Sequence, residues 1–347
     1  MMRKDLSKMQ MITAHNNKYR LLYNIFFLLV FILLFSIAAF RPVGIDRDSG
    51  AYAGAIQSFI ITHNYDFIRT EPFFYLIVDV SKFLFNNVVR GVFILYAFLG
   101  VSLKLYAIKK NASFPLLSLI VYFYLYFALH EMTQIRVGVA SAIFLLSIPD
   151  IVNRNWKSYL LKTALATLFQ YVAIIMLFIY LINSKHNKQL FYLFLPLIGI
   201  LLAIINAGKF FLMFIINFLP EFLSYKINLY LTMHEMGMFT EINVFNIYYS
   251  SLLIIYYFSI ININKFKKEI DVLQIKILGW MLFSFYFFSF LPVLAFRISE
   301  FLAIVLIFIL PDLISIVRQK HFTSFIVFLY SISMLFNYIF IQKLLHF

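Results

Sequence analysis

The chain contains no cysteine. Disulfides, thiolate metal sites and cysteine nucleophiles are thereby excluded. Charge is scarce too: 13% of the 347 residues are Asp, Glu, Lys or Arg, against 63% hydrophobic and 20% aromatic. So little polar surface cannot cover a water-soluble globule, and the chain must be solvated by lipid. A membrane β-barrel is excluded, because its strands would be about ten residues long with apolar and polar positions alternating. No Gly/Ser-rich linker or internal repeat interrupts the sequence, so residues 1–347 read as one transmembrane domain. No small-residue cleavage site closes the first apolar run, which ends at Phe40. That run is expected to be a retained span, with Arg3, Lys4, Lys8, Lys18 and Arg20 holding the N-terminus in the cytoplasm.

What is present is a succession of apolar runs long enough for helices that cross a bilayer core of about 30 Å. They fall at 21–40, 90–108, 114–130, 137–152, 159–182, 190–206, 208–220, 243–262, 273–293, 298–316 and 322–343. The fold class is therefore all-α and polytopic, with about eleven transmembrane helices. The apolar stretch from Pro72 to Phe85 is left out of that count. Including it would place Lys109/Lys110, Arg154/Lys157, Lys265/Lys267/Lys268 and Arg318/Lys320 outside while the basic N-terminus is inside, against the positive-inside rule. Residues 41–89 are thus expected to form a long first external loop with two surface helices, and residues 221–242 a second external loop.

The formal charge of +14 does not point to nucleic acid, because the basic residues come in short clusters between apolar runs. This layout sorts the two cations. Most lysines, including Lys104, Lys209 and Lys276, fall to the cytoplasmic side. Arg41, Arg47, Arg69, Arg90, Arg136 and Arg297 face outward together with most of the acids. Guanidinium groups bind carboxylate or phosphate in bidentate fashion and tolerate partial desolvation, so an outward cluster of Arg and acid has the character of a polar site.

Four islands carry candidate chemistry. The first is Arg41-Pro-Val-Gly-Ile-Asp46-Arg47-Asp48-Ser-Gly-Ala-Tyr52, followed by Arg69-Thr-Glu71-Pro72. Asp46 and Asp48 could serve a site, or could cap a helix and pair with Arg47. In His130-Glu131-Met132-Thr133-Gln134-Ile135-Arg136, the alternative to a functional turn is an ion pair between Glu131 and Arg136. Arg297 either binds an anion or snorkels to the interface beside Glu300. Gln170 and Tyr171, in an otherwise apolar run, are best explained by an interhelical hydrogen bond. His234-Glu235 lacks a second histidine one helical turn on, so no metal site is expected.

Taken in order, these islands resemble the EpsG/Wzy-like family of exopolysaccharide and O-antigen polymerases. In that family an Asp and a Tyr four residues later follow the first span (here Asp48 and Tyr52), and a Glu-Pro opens the next segment (Glu71-Pro72). A Gln-x-Arg triplet then heads a small-residue helix (Gln134-Ile-Arg136-Val-Gly-Val-Ala140), and a late Arg-Ile precedes a Leu-Pro (Arg297-Ile298, Leu310-Pro311). The match runs from about 41 to 312 through short motifs. One departure is that Gln170-Tyr-Val-Ala173 stands where the family often has His-Ser-Ala, so no His-dependent step is expected there.

The resemblance implies a GT-C-like glycosyltransferase of the bacterial inner membrane. It would join undecaprenyl-diphosphate-linked oligosaccharides on the periplasmic face, without a cofactor. Asp48, with Asp46 as alternate, would be the base, and Glu71 would orient the acceptor or an arginine. Arg136 and Arg297, helped by Arg69 or Arg90, would hold the diphosphate, with Tyr52 and Gln134 as further substrate contacts. The implied partners are the lipid-linked oligosaccharide, membrane lipid, a chain-length regulator and a flippase of the same pathway. An O-antigen ligase and a flippase for the same lipid are the rival functions. A transporter, however, would be expected to place its polar groups near the bilayer midplane and to show paired halves.

Overall fold

A computed structural model describes residues 2–238 and 242–345, with side chains from residue 19 onward. Arg3, Lys4, Lys8, Lys18 and Glu241 lie outside the described side chains. The chain is all-helical. Helix α1 (Met2–Phe40) is followed by α2 (Ser49–Thr62), α3 (Pro72–Leu84) and α4 (Val88–Asn111). Two helices thus occupy the segment expected to be the first external loop, and neither is long and apolar enough to cross a bilayer. Next come α5 (Pro115–Val121), which continues as a π-helix over Tyr122–Thr133, then α6 (Ile135–Val152), α7 (Trp156–Phe169), a 3₁₀ stretch Tyr171–Ile175 and α8 (Met176–Ile179). The remainder is α9 (Gln189–Ile204), α10 (Ala207–Ile215), α11 (Glu221–Glu235), α12 (Ile247–Ile261), α13 (Glu269–Phe287), α14 (Pro292–Ala303), α15 (Leu306–Asp312) and α16 (Lys320–Phe336), which runs into a second π-helix, Asn337–Ile341.

Among the described residues, 6 helices are long and apolar enough to span a membrane, or up to 8 if each of two bent pairs counts once. Contacts between loops sort the rest. At one end of the bundle, Lys268 Nζ donates to Ser113 Oγ at 2.8 Å, Ser184 Oγ to Glu269 at 2.7 Å, and Lys276 Nζ to the Lys185 carbonyl at 2.6 Å. This lysine-rich end gathers the loops after α4, α8 and α12. The opposite end holds α2, α3 and α11.

Two of the expected spans are corrected by these contacts. The run 159–182 is not one helix but a hairpin folded at Gln170. Tyr159 Oη donates to the Met176 carbonyl at 2.7 Å and Arg154 Nη1 to the Tyr180 carbonyl at 3.2 Å, so both arms end on the lysine-rich side. The run 208–220 does not continue α9 through the bundle. Its helix is bent 85° from α9, and Gly208 packs on the Phe287 carbonyl at the far end of α13. Lys185 and Lys188 consequently join the lysine-rich end and Lys209 leaves it. Lys104 is a third correction. It is not at a loop but fully buried in α4, where it pairs with Glu131 at 2.5 Å. A charge buried among apolar helices is tolerated only with such a partner.

Candidate active site

The loop after α1 is folded by its own side chains. Asp46 Oδ1 accepts from the backbone N–H of Ser49 at 2.9 Å and of Asp48 at 3.2 Å, satisfying the open N-terminus of α2. Its Oδ2 pairs with Arg41 Nε at 2.9 Å, and both side chains are buried. Gly44, at φ +93°, permits the turn between them. A second clasp comes from residues following α16. The Leu344 carbonyl accepts from Arg47 N at 3.1 Å, and Leu345 forms an antiparallel bridge with Asp46. Asp48, held next in line, makes no capping bond. It lies 3.5 Å from Arg47 and stays partly exposed.

The turn between α5 and α6 is shaped by the π-helix before it. Gln134 N reaches back to the Leu129 carbonyl at 2.7 Å, and α6 begins afresh at Ile135. The turn doubles back closely enough that a Cβ on Gly138 would stand 2.5 Å from the His130 carbonyl, which accounts for the small residues there. Folding this way sends Glu131 inward to Lys104 and leaves Arg136 to a different carboxylate, so the alternative of a Glu131/Arg136 pair gives way to Arg136/Glu71.

Glu71 sits fully buried at the N-terminus of α3. It bonds Arg136 through one oxygen. The other accepts from Lys226 Nζ of α11 at 2.8 Å and the Tyr171 N–H at 3.4 Å. Burial alone would push this carboxyl up, but Arg136 and Lys226 together outweigh it and hold the group at about 2. The hairpin tip at Gln170 is locked here as well, since Tyr171 Oη donates to the Phe67 carbonyl. Glu71 is thus held as a carboxylate between two cations.

A cavity of about 1000 Å³ opens above this network. Asp48, Tyr52, Gln134, Arg136 and Arg297 all line it, from three separate segments of the sequence. The Tyr52 ring lies 5.5 Å from the Arg136 guanidinium and the Tyr230 ring 5.3 Å from that of Arg297. Arg297 makes no ion pair among the described residues, so the reading that partners it with Glu300 does not hold. Glu300 instead accepts from Gln134 Nε2 at 2.7 Å. Burial raises the Asp48 carboxyl above its ordinary range, opposed by Arg47. A smaller adjoining recess joins Arg69, Arg136, Lys226 and Arg297.

Two expected residues fall elsewhere. Arg90 lines neither space, because its guanidinium donates to the Arg41 carbonyl at 2.6 Å and the Ala39 carbonyl at 3.2 Å, bracing the start of the loop. Asp46 is committed to Arg41 and the start of α2. Sequence reasoning missed Lys226 and undervalued Gln170, which lines the cavity at the hairpin tip. The available signal for Lys226 was a lone outward lysine between Tyr225 and Tyr230. Among the described residues no cluster of ligating side chains could hold a metal ion.

A model for the family described as the EpsG family matches residues 24–346. No curated protein and no solved structure matches.

Proposed function

This chain belongs to the EpsG family, a family of Wzy-like polymerases, and we propose that it polymerises undecaprenyl-diphosphate-linked oligosaccharide repeats on the periplasmic face of the bacterial inner membrane. The lysine-rich end faces the cytoplasm by the positive-inside rule, which puts the cavity on the periplasmic side. About eleven passages are proposed, beyond the 6 to 8 that helix length and apolarity support among the described residues, with the two arms of the Gln170 hairpin crossing separately and α10 lying at the outer surface.

One observation carries the proposal: Asp48, a partly exposed carboxylate that makes no capping bond and pairs with Arg47 alone, shares a cavity with Arg297, which has no carboxylate partner among the described residues. Asp48 takes the proton from the acceptor hydroxyl as its oxygen bonds to the anomeric carbon of the donor. The bond from that carbon to the diphosphate oxygen breaks, and the departing polyprenyl diphosphate is held by Arg297 and Arg136, with Arg69 at the rim. Burial keeps Asp48 a stronger base than an exposed aspartate. Asp46 and Arg90 act on this chemistry through the loop they brace.

The proposal is tested in a strain making a long-chain surface polysaccharide by deleting the gene and resolving lipid-linked glycans on gels. Loss of the ladder with single repeats still attached is expected. Unattached polymer would indicate a ligase, and no surface repeat a flippase. Asp48→Asn and Arg136→Ala should each abolish the ladder at normal protein level, whereas Asp46→Asn should lower the protein level. Wild-type ladders from Asp48→Asn would refute the assignment.

A further inference from the structure

The cavity lining combines two chemistries: Arg136 and Arg297 supply cations, and Gln134, Glu300 and Asn337 supply amides and a carboxylate beside Tyr248 and Tyr338. The π-helix Asn337–Ile341 contributes to the second group: its wider turn, closed by Gln342 N on the Asn337 carbonyl at 2.9 Å, brings both Asn337 and Gln342 to the cavity. Asn337 Oδ1 is shut off from solvent and has no hydrogen-bond partner among the described residues. An unsatisfied buried acceptor is costly, and such atoms are expected to have a partner in the working state. Glu300 has one oxygen engaged by Gln134 Nε2. A carboxylate oxygen accepts, so its other oxygen calls for a donor.

A ligand that donates to Asn337 and Glu300, accepts from amide N–H groups and lays C–H faces on tyrosine rings is a polyhydroxylated ring without negative charge. A carboxylate in that position would have no proton to give to either acceptor. We propose that the group formed by Gln134, Glu300 and Asn337 is the acceptor subsite and that it takes an uncharged sugar residue, with Glu300 rejecting uronic acids. The proposal rests on the acceptor being a glycan, as in the polymerase function. It assigns to Glu300 and Asn337 a role in selectivity distinct from the base and from the anion clamp.

Saturation-transfer NMR on the full chain in nanodiscs tests it. The probes are methyl glycosides of glucose, galactose and N-acetylglucosamine, each against methyl glucuronide and methyl galacturonide. Transfer to at least one neutral glycoside, and to neither uronide, is expected. Asn337→Ala and Glu300→Ala should weaken that binding about tenfold, the size of one lost hydrogen bond to a charged or buried group. Glu300→Gln keeps the shape and removes the charge, so it should admit a uronide that the wild type rejects. A wild type that prefers uronides, transfer to no probe, or binding indifferent to both Asn337→Ala and Glu300→Ala would overturn the proposal. Neutral binding in a protein whose deletion leaves the polymer ladder intact would refute the polymerase function alone.

Discussion

Replacing Glu71 by glutamine keeps the side chain's size but leaves two cations, Arg136 and Lys226, around a neutral buried amide. The size of the loss follows from the carboxyl itself. Its descent from an ordinary 4.5 to about 2 corresponds to about 3 kcal/mol of preferential stabilisation of the charged form. Breaking a buried ion pair from one side costs about 3–5 kcal/mol, which agrees. Because the folded-state value is depressed, this stability is present above the ordinary range and disappears as pH falls from about 4.5 through about 2. SDS-driven unfolding followed by circular dichroism should therefore show Glu71→Gln about 3 kcal/mol less stable at neutral pH. The variant should also lose part of the wild type's acid sensitivity. Adding Lys226→Met should cost less than the sum of the two single changes, since both report on one network. A Glu71→Gln protein within about 0.5 kcal/mol of wild type, or strict additivity in the double variant, would refute the network as drawn.

Two further outcomes are expected. Polymer formation should fail on the acid side at a pH above the usual aspartate range, because burial raises Asp48; Arg47→Ala removes a cation that lowers it and should move that limb higher still, as read by ladder length across a pH series. The chain has no cysteine, so single cysteines can be labelled without background. A membrane-impermeant maleimide should reach Lys209→Cys from outside the cell and fail to reach Lys185→Cys. The reverse pattern would dismantle the Gln170 hairpin and the placement of α10.

What the sequence made legible was whatever depends on composition and charge. Hydropathy alone yields a helical membrane protein, and the sign of flanking charges removes Pro72 to Phe85 from the spans. Short motifs brought Asp48, Gln134, Arg136 and Arg297 to one cavity although they stand far apart in the chain. Reversals were not legible. A hydropathy window adds up apolar residues over 159–182 whether they run straight or fold at Gln170, and it counts 208–220 without sensing an 85° bend. Ion-pair partners were misassigned for a related reason. Proximity in sequence favoured Glu131 with Arg136, but the π-helical turn sends the two side chains apart, and their real partners, Lys104 and Glu71, come from other helices.

The clasp between Leu344/Leu345 and Asp46/Arg47 also bears on when the protein becomes competent. Membrane insertion proceeds from the N-terminus as synthesis continues, so the Asp48 loop reaches the outer surface long before α16 exists to secure it. During that interval the loop lacks the backbone contacts that fix its register, and Asn337 has not yet joined the cavity. A nascent or truncated chain thus carries Asp48 and the cavity's arginines without the contacts that hold them in one geometry, and the proposed chemistry would begin only once the bundle has closed around them.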